Sequence, residues 1–170
     1  MQYLCMSHLE KAYENQVWLL LKETDYEFIP PLSSRNGTQD KKFEIECINE
    51  EGPISYFEHM KFQNFILAIE DDVVGFLSYI PNHHICLEDD KEELCEYVST
   101  IAVNLAYRNH KIAQELYQKL LDKCRLPIVT RTWSTNIAHI HILRSLGFKM
   151  VKIIKDDRGK GIHTIYYKKF

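Results

Sequence analysis

The amino-acid sequence predicts a mixed α/β domain, and three observations predict it. Apolar residues recur with a period near 3.6 in some stretches and form β-branched runs in others. The stretches follow one another as helix, helix, two strands, strand, helix, strand, helix, two strands. The alternation in the middle asks for strand-helix-strand crossovers, and the paired runs on either side of it ask for hairpins.

The elements follow in order. Leu9, Ala12, Tyr13, Val17, Leu20 and Leu21 fall at helical spacing and predict an amphipathic helix over 8–23. The stretch FIPPLSSRNGTQD ends it, because two prolines and an Asn-Gly pair make an irregular loop. Residues 53–63 read as a second short helix, with Pro53 near the start, where a missing N–H costs nothing. Two β-rich runs, 65–69 and 73–80, flank Glu70, Asp71 and Asp72 and give a hairpin signal. Residues 82–94 contain the acidic run LEDDKEEL and are expected to form a polar, solvated loop.

CEYVSTIAV, 95–103, is the next strand, rich in β-branched residues. In YRNHKIAQELYQKLLDK, 107–123, Ile112, Ala113, Leu116, Tyr117, Leu120 and Leu121 share one face and predict a helix. LPIVTRTWS, 126–134, is a strand begun after a proline. NIAHIHILRSLGF, 136–148, is a helix with Asn136 as its N-cap and Gly147 just past its end. The last stretch supplies two strands around DDRGKG, read as a hairpin turn and not as a phosphate loop, because it opens no helix.

Composition bounds the function. The 170 residues fit one domain over 1–170, with no internal repeat, low-complexity tract or linker. A net charge of −3 argues against a dedicated nucleic-acid binder. No apolar run approaches the roughly 18 residues that a membrane span needs. The stretch MQYLCMSHLEKAYENQ lacks the features of a signal peptide. Cys5, Cys47, Cys86, Cys95 and Cys124 are odd in number and form no Cys-x-x-Cys, so free thiols in a reducing cytoplasm are expected. His83, His84, Cys86 and Cys95 match no zinc spacing, and no metal is expected.

One feature points to a ligand. Arg108, His110 and Lys111 crowd the predicted first turn of the 107–123 helix, where the partial positive charge disfavours cations. A strand, a turn and a helix N-terminus already make an anion site. A bound phosphate or pyrophosphate explains the basic residues; side chains bending into solvent are the alternative.

STIAVNLAYRNHKIAQELYQKLL resembles the acetyl-CoA-binding segment of the GNAT superfamily of N-acetyltransferases. An apolar-x-Val strand end, Ile101, Ala102 and Val103, runs through an Arg/Gln-x-x-Gly-x-Gly/Ala loop that matches Arg108, Asn109, His110, Lys111, Ile112 and Ala113. The family's later helix, opened by Asn and closed by Gly-Phe, matches Asn136, Gly147 and Phe148. The hairpin carrying Gly75 and the final hairpin also fit, so the resemblance covers about 60–170. It implies a mostly antiparallel, twisted sheet with helices on both faces. It implies that the loop backbone over 108–113 holds the CoA pyrophosphate, that 101–103 pairs with the pantetheine arm, and that Asn136 helps hold that arm. The implied reaction is direct transfer of acetyl from acetyl-CoA to a primary amine, with the oxyanion held by a backbone N–H near 101–103.

The sequence departs from the family at two positions. Lys111 stands where the loop has its middle glycine, and a first-turn helical conformation is expected for it. Leu143 stands seven residues after Asn136, where many relatives have the tyrosine that protonates the leaving thiolate. Glu96 is the candidate general base, with Tyr97 at the position that aligns with the family glutamate; a surface or substrate-orienting carboxylate is the other reading of Glu96. His139 or His141 is a candidate substitute acid. Arg131 lies beside the expected cleft, and Trp133 is expected in the core. Arg35 and the acidic 88–93 segment are candidates to border the pocket of the acceptor, a small-molecule or peptide amine. A monomer or homodimer without nucleic-acid or membrane partners is expected. A catalytically inactive acyl-CoA-binding or sensor module of the same fold is the second reading.

Overall fold

A computed structural model describes residues 1–43 and 48–170. Its elements are β1 (Gln2–Met6), α1 (Lys11–Thr24), α2 (Ile54–Met60), β2 (Asn64–Ile69), β3 (Val73–Glu88), β4 (Lys91–Val103), α3 (Ile112–Lys123), β5 (Ile128–Trp133), α4 (Ile137–Ser145), β6 (Lys149–Ile154) and β7 (Thr164–Lys169). The strands form one sheet in the order β1-β2-β3-β4-β5-β7-β6. Neighbours are antiparallel except β4 and β5, which α3 joins as a parallel crossover. The expected mixed fold and its mostly antiparallel sheet are both present.

Burial explains why β2 reads as an unbroken apolar run. Phe65 and Leu67 enter a core with Val17, Leu20 and Leu21 of α1 and Tyr56, Phe57 and Met60 of α2. Ile66 and Ala68 point the other way, into a core with Leu116, Tyr117 and Leu120 of α3 and Ile140 and Leu143 of α4. A strand covered on both faces needs apolar residues at every position. Helices therefore flank both faces of the sheet, as the resemblance implies. Gly75 on β3 lets α3 sit close. A Cβ there would lie 3.2 Å from the Ala102 carbonyl oxygen and 3.2 Å from Ile112 Cγ2.

Three expectations change. The polar loop over 82–94 is instead a β-arm: β3 runs to Glu88, β4 begins at Lys91, and Glu88 pairs with Lys91. Its charges mislead because they sit on an exposed ladder that extends a buried one, and pairing overrides propensity. β1 has no counterpart in the sequence reading, since QYLCM becomes a strand by pairing with β2 along the sheet edge. The helix expected over 107–123 begins only at Ile112. A short 3-10 turn, Leu105–Tyr107, precedes it, capped by the Asn104 side chain, which accepts from the Ala106 N–H.

The end of α4 agrees with the sequence. Gly147 takes a φ of 84°. Its N–H donates to the Arg144 carbonyl and the Phe148 N–H to the Leu143 carbonyl, which closes the helix with a left-handed residue. Cys5, Cys86, Cys95 and Cys124 are free thiols, and Cys47 lies outside the described residues. Among the described residues, no helix is long and apolar enough to cross a membrane.

Candidate active site

The site begins with an interrupted ladder. β4 pairs with β3 as far as Val103, but its other edge pairs with β5 only at Glu96, Tyr97 and Val98. Opposite this point, Ser78 pairs with Thr100 and Tyr79 with Val98, so Ser99 is an extra residue, a bulge. A bulge bends its strand and raises its twist. Beyond it β4 and β5 part, while β5 keeps its ladder to β7 as far as Trp133. The backbone of β4 after Ser99 thus presents an unpaired edge.

Side chains secure the bulge. The Ser99 hydroxyl donates to Gln63 Oε1 at 2.5 Å and lies 3.0 Å from Ser78 Oγ. The Tyr56 hydroxyl lies 2.7 Å from Thr100 Oγ1. A cleft of about 550 Å³ opens between the parted strands. Of the predicted site residues, Ile101, Ala102, Val103, Arg108, Asn109, Lys111, Ile112, Ala113 and Asn136 line it, and His110 and Glu96 do not.

One end of the cleft is the N-terminus of α3. The first main-chain bond of this helix is Glu115 N–H to Lys111 O, which leaves the N–H groups of Ile112, Ala113 and Gln114 directed outward. Lys111 caps the helix with φ 61° and ψ 13°, and no side chain caps it. Asn109 also has a positive φ, 65°. Lys111 is therefore in the left-handed region and not in the helical first turn expected for it. Glycine stands at this position in relatives because such backbone costs an L-residue about 1–2 kcal/mol. Lys111→Gly is expected to raise the melting temperature by about 2 °C, a gain of roughly 0.5–1 kcal/mol in a chain of this size. Lys111→Ala, which keeps the strain, should give no rise in the same thermal melts.

The basic residues separate in role. Arg108 donates from Nη2 to Glu27 Oε2 at 2.5 Å and from Nε to the Val103 carbonyl at 3.2 Å, so it ties the loop to β4 and to the end of α1. His110 is exposed outside the cleft, and exposed Lys111 lines it.

α4 forms one wall. Asn136 accepts from the His139 N–H at 3.4 Å and donates from Nδ2 to Thr132 Oγ1 at 3.2 Å. His139 lies with Nε2 2.8 Å from the Tyr117 hydroxyl and Nδ1 3.1 Å from Thr132 Oγ1. Burial pushes its pKa down to about 4, so the imidazole is neutral near pH 7. His139 and His141 both line the cleft. Leu143 does not; it is fully buried between α4 and the sheet.

Glu96 lies on the opposite side of β4 from Tyr97, because successive strand residues alternate. It is 8% exposed. Its carboxyl is raised above the ordinary range by desolvation, and the Asn82 backbone N–H partly offsets this. Pairing between β3 and β4 is interrupted between Ile80 and His83, so the carboxylate faces backbone that the ladder leaves unpaired. The Ser99 bulge comes after Glu96 and does not bring it to the cleft. Glu96→Gln is expected to leave turnover within about twofold, because the residue does not line the cleft. A drop of a hundredfold with intact folding would restore it as the base.

The other end of the cleft gathers residues that the sequence scatters. Arg35, Arg131 and Arg158 line it together with Phe28, Thr38 and Trp133. Trp133, expected in the core, packs against Phe28 with the rings tilted by 50° and centroids 5.7 Å apart. Arg158, from the Gly-rich turn read as plain hairpin, is 3% exposed. Arg35 lines the cleft, and the acidic 88–93 segment does not. The end of α1 contributes Thr24, and the short 3-10 turn after it contributes Glu27, both from the part of the chain outside the resemblance. No sequence signal marks Arg158, since an arginine in a turn reads as solvated.

The family model described as "Acetyltransferase (GNAT) family" matches residues 31–148. Several solved structures share the fold. NAA60 of Arabidopsis thaliana, in complex with a bisubstrate analogue, is 11% identical with a TM-score of 0.65, covering 99% of this chain and 98% of its own. A ribosomal-protein-alanine N-acetyltransferase from Brucella melitensis is 16% identical with a TM-score of 0.66, covering 98% and 99%. An aminoglycoside 6'-N-acetyltransferase complexed with coenzyme A is 15% identical with a TM-score of 0.68, covering 99% and 96%. At these identities the likeness is one of fold. No curated protein matches the chain.

Proposed function

The chain belongs to the acetyltransferase (GNAT) family, and from that premise we propose that it moves an acetyl group from acetyl-CoA to a primary amine by direct attack in a ternary complex. One observation carries the proposal: the unpaired edge of β4 leads from the Ser99 bulge toward the open N-terminus of α3. Acetyl-CoA, when bound, supplies the activated acyl group. The chain's own groups fit its two parts. Outward N–H groups of Ile112, Ala113 and Gln114, aided by the helix dipole, suit a pyrophosphate. The free main-chain donors and acceptors of 101–103 suit the amides of the pantetheine arm, as a strand suits a strand. Asn136, held by Thr132, closes the far side of that arm.

The residues assign themselves by what they touch. A β4 backbone N–H past the bulge can donate to the carbonyl oxygen as negative charge grows on it. Glu27 is the one carboxylate among the described residues that line the cleft, and Arg108 occupies it at the α3 end. Among the described residues no other lining carboxylate stands ready to deprotonate the amine, which favours attack by amine that is already neutral in solution. The departing thiol has a pKa of about 8.5 and leaves as thiolate without a dedicated acid.

The buried position of Leu143 and the placement of Glu96 favour a second reading, an inactive acyl-CoA-binding or sensor module. Thiol release from acetyl-CoA over a panel of primary amines separates the two. Turnover that rises with pH, following amine neutralisation, supports the enzyme. Acetyl-CoA binding without turnover on any amine supports the module.

A further inference from the structure

The acceptor end of the cleft holds three guanidinium groups around one aromatic ring. The guanidinium carbons of Arg158, Arg35 and Arg131 lie 4.9, 5.1 and 5.3 Å from the Phe43 ring centroid. Arg35 is 7% exposed and Arg158 3% exposed. None of the three forms an ion pair among the described residues. Asp40 instead accepts from the N–H groups of Asn36 and Gly37, and Asp157 accepts from Thr164 Oγ1.

A structural role accounts for part of this arrangement. Arg35 donates twice to the Pro30 carbonyl, and Arg158 donates to the Ile29 carbonyl and to Thr164 Oγ1. Those bonds fasten the Phe28 loop to the sheet. They do not explain why three like charges converge, nor why Arg131 Nη2 is buried without a partner among the described residues. Like charges out of water repel strongly, and a buried charge is tolerated when something pairs with it. Burial, with repulsion from Arg131, pushes Arg35 down to about 10. Burial, with repulsion from Arg35 and Arg131, pushes Arg158 down to about 9. The ring quadrupole of Phe43 offers each cation only a weak partner.

We propose that the acceptor is a small primary amine carrying a carboxylate or phosphate a few bonds from its nitrogen, and that Arg35, Arg131 and Arg158 receive this anionic group. The proposal rests on the transferase reading for the amine and on the arginine cluster for the anion. Position sets the short spacing. Arg131 directly follows Thr130, which makes the last β4–β5 pair with Val98, so the cluster stands at the throat where the strands part. The walls of Phe28 and Trp133 keep the space narrow. A guanidinium fork matches a carboxylate or phosphate with two parallel hydrogen bonds, and Arg131 Nη2 has its hydrogens to give. A polycationic acceptor would be repelled from the same place.

The test uses the full chain and three matched probes: ethanolamine, β-alanine and O-phosphoethanolamine. Binding is read by calorimetry with and without CoA, and turnover by thiol release from acetyl-CoA. At least one anionic amine should bind about tenfold or more tightly than ethanolamine, because a charge-paired anion replaces a repelled cation. β-Alanine alone would assign a carboxylate and O-phosphoethanolamine alone a phosphate. Arg131→Gln should remove most of that preference, leave acetyl-CoA affinity unchanged and keep or raise the melting temperature. Arg131→Lys should retain part of the preference. If Arg131→Gln does not fold, the wild-type chain still decides: inorganic phosphate should raise the KM of the anionic amine and not that of acetyl-CoA. Equal binding of ethanolamine and both anionic amines overturns the proposal, and so does a preference undiminished in folded Arg131→Gln. Anion preference in binding with no thiol release from any amine would instead sink the transferase reading and leave the anion site standing.

Discussion

Ala113→Glu is expected to weaken acetyl-CoA binding by about a hundredfold while making the protein slightly more stable. Ala113 is the second residue of α3, and it lines the cleft where the helix N–H groups face outward. In the proposed binding mode a carboxylate there would stand beside the pyrophosphate. Two unit charges about 4 Å apart near a protein surface interact by up to about 4 kcal/mol, and two-thirds of that is a hundredfold. The same carboxylate suits a helix N-terminus and contributes about 0.3–1 kcal/mol to folding. The two effects run in opposite directions, which separates a ligand effect from damage. Calorimetry with acetyl-CoA, beside a thermal melt, reads both. Unchanged affinity would mean that the α3 N-terminus does not hold the phosphates. Raised salt should narrow the gap between the two proteins, because the repulsion is screened.

Gly75→Val is expected to harm both folding and binding. The space for its Cβ is filled by the Ala102 carbonyl oxygen and the Ile112 and Val103 side chains, all within 3.3 Å. The backbone oxygen cannot turn aside, and Ile112 is buried at 3% exposure, so α3 must lift from β3. Overpacking of this kind costs about 1–3 kcal/mol, which for 170 residues lowers the melting temperature by roughly 3–10 °C. Ile112 also presents the first outward N–H of the cradle, so lifting it should lower acetyl-CoA affinity about tenfold. Gly75→Ala is the graded control and should show the same signs at smaller size. A variant that melts early yet binds acetyl-CoA normally would uncouple the position of α3 from the site.

Several features of this protein were legible in the sequence because they depend on local rules. The α4 helix shows an asparagine at its start and a glycine just past its end, and both positions carry their meaning within one or two turns of chain. The strand-turn-helix segment from Ile101 to Ala113 is local in the same way, which is why Ile101 to Val103 and Tyr107 to Ala113, His110 apart, come together in the cleft. The β2 run reads as apolar throughout because both faces are covered.

Tertiary structure decided the rest, and the reason is the same each time: a residue's role was set by a neighbour distant in sequence. The 82–94 arm is a strand because Glu88 meets Lys91 and the ladder continues below it, although its composition reads as loop. Glu96 and Tyr97 are adjacent in sequence and lie on opposite faces of β4, yet neither lines the cleft, because both still pair with β5 and the strands part only after Val98. Lys111 reads as a basic first-turn residue, but the geometry of the turn makes it a left-handed cap. Arg35, Arg131 and Arg158 come from a proline-rich loop, a strand and a Gly-rich turn. Each alone reads as an ordinary polar residue. Only the folding of these three segments around Phe43 turns them into one buried concentration of positive charge, since Coulomb interaction depends on distance in space and not along the chain.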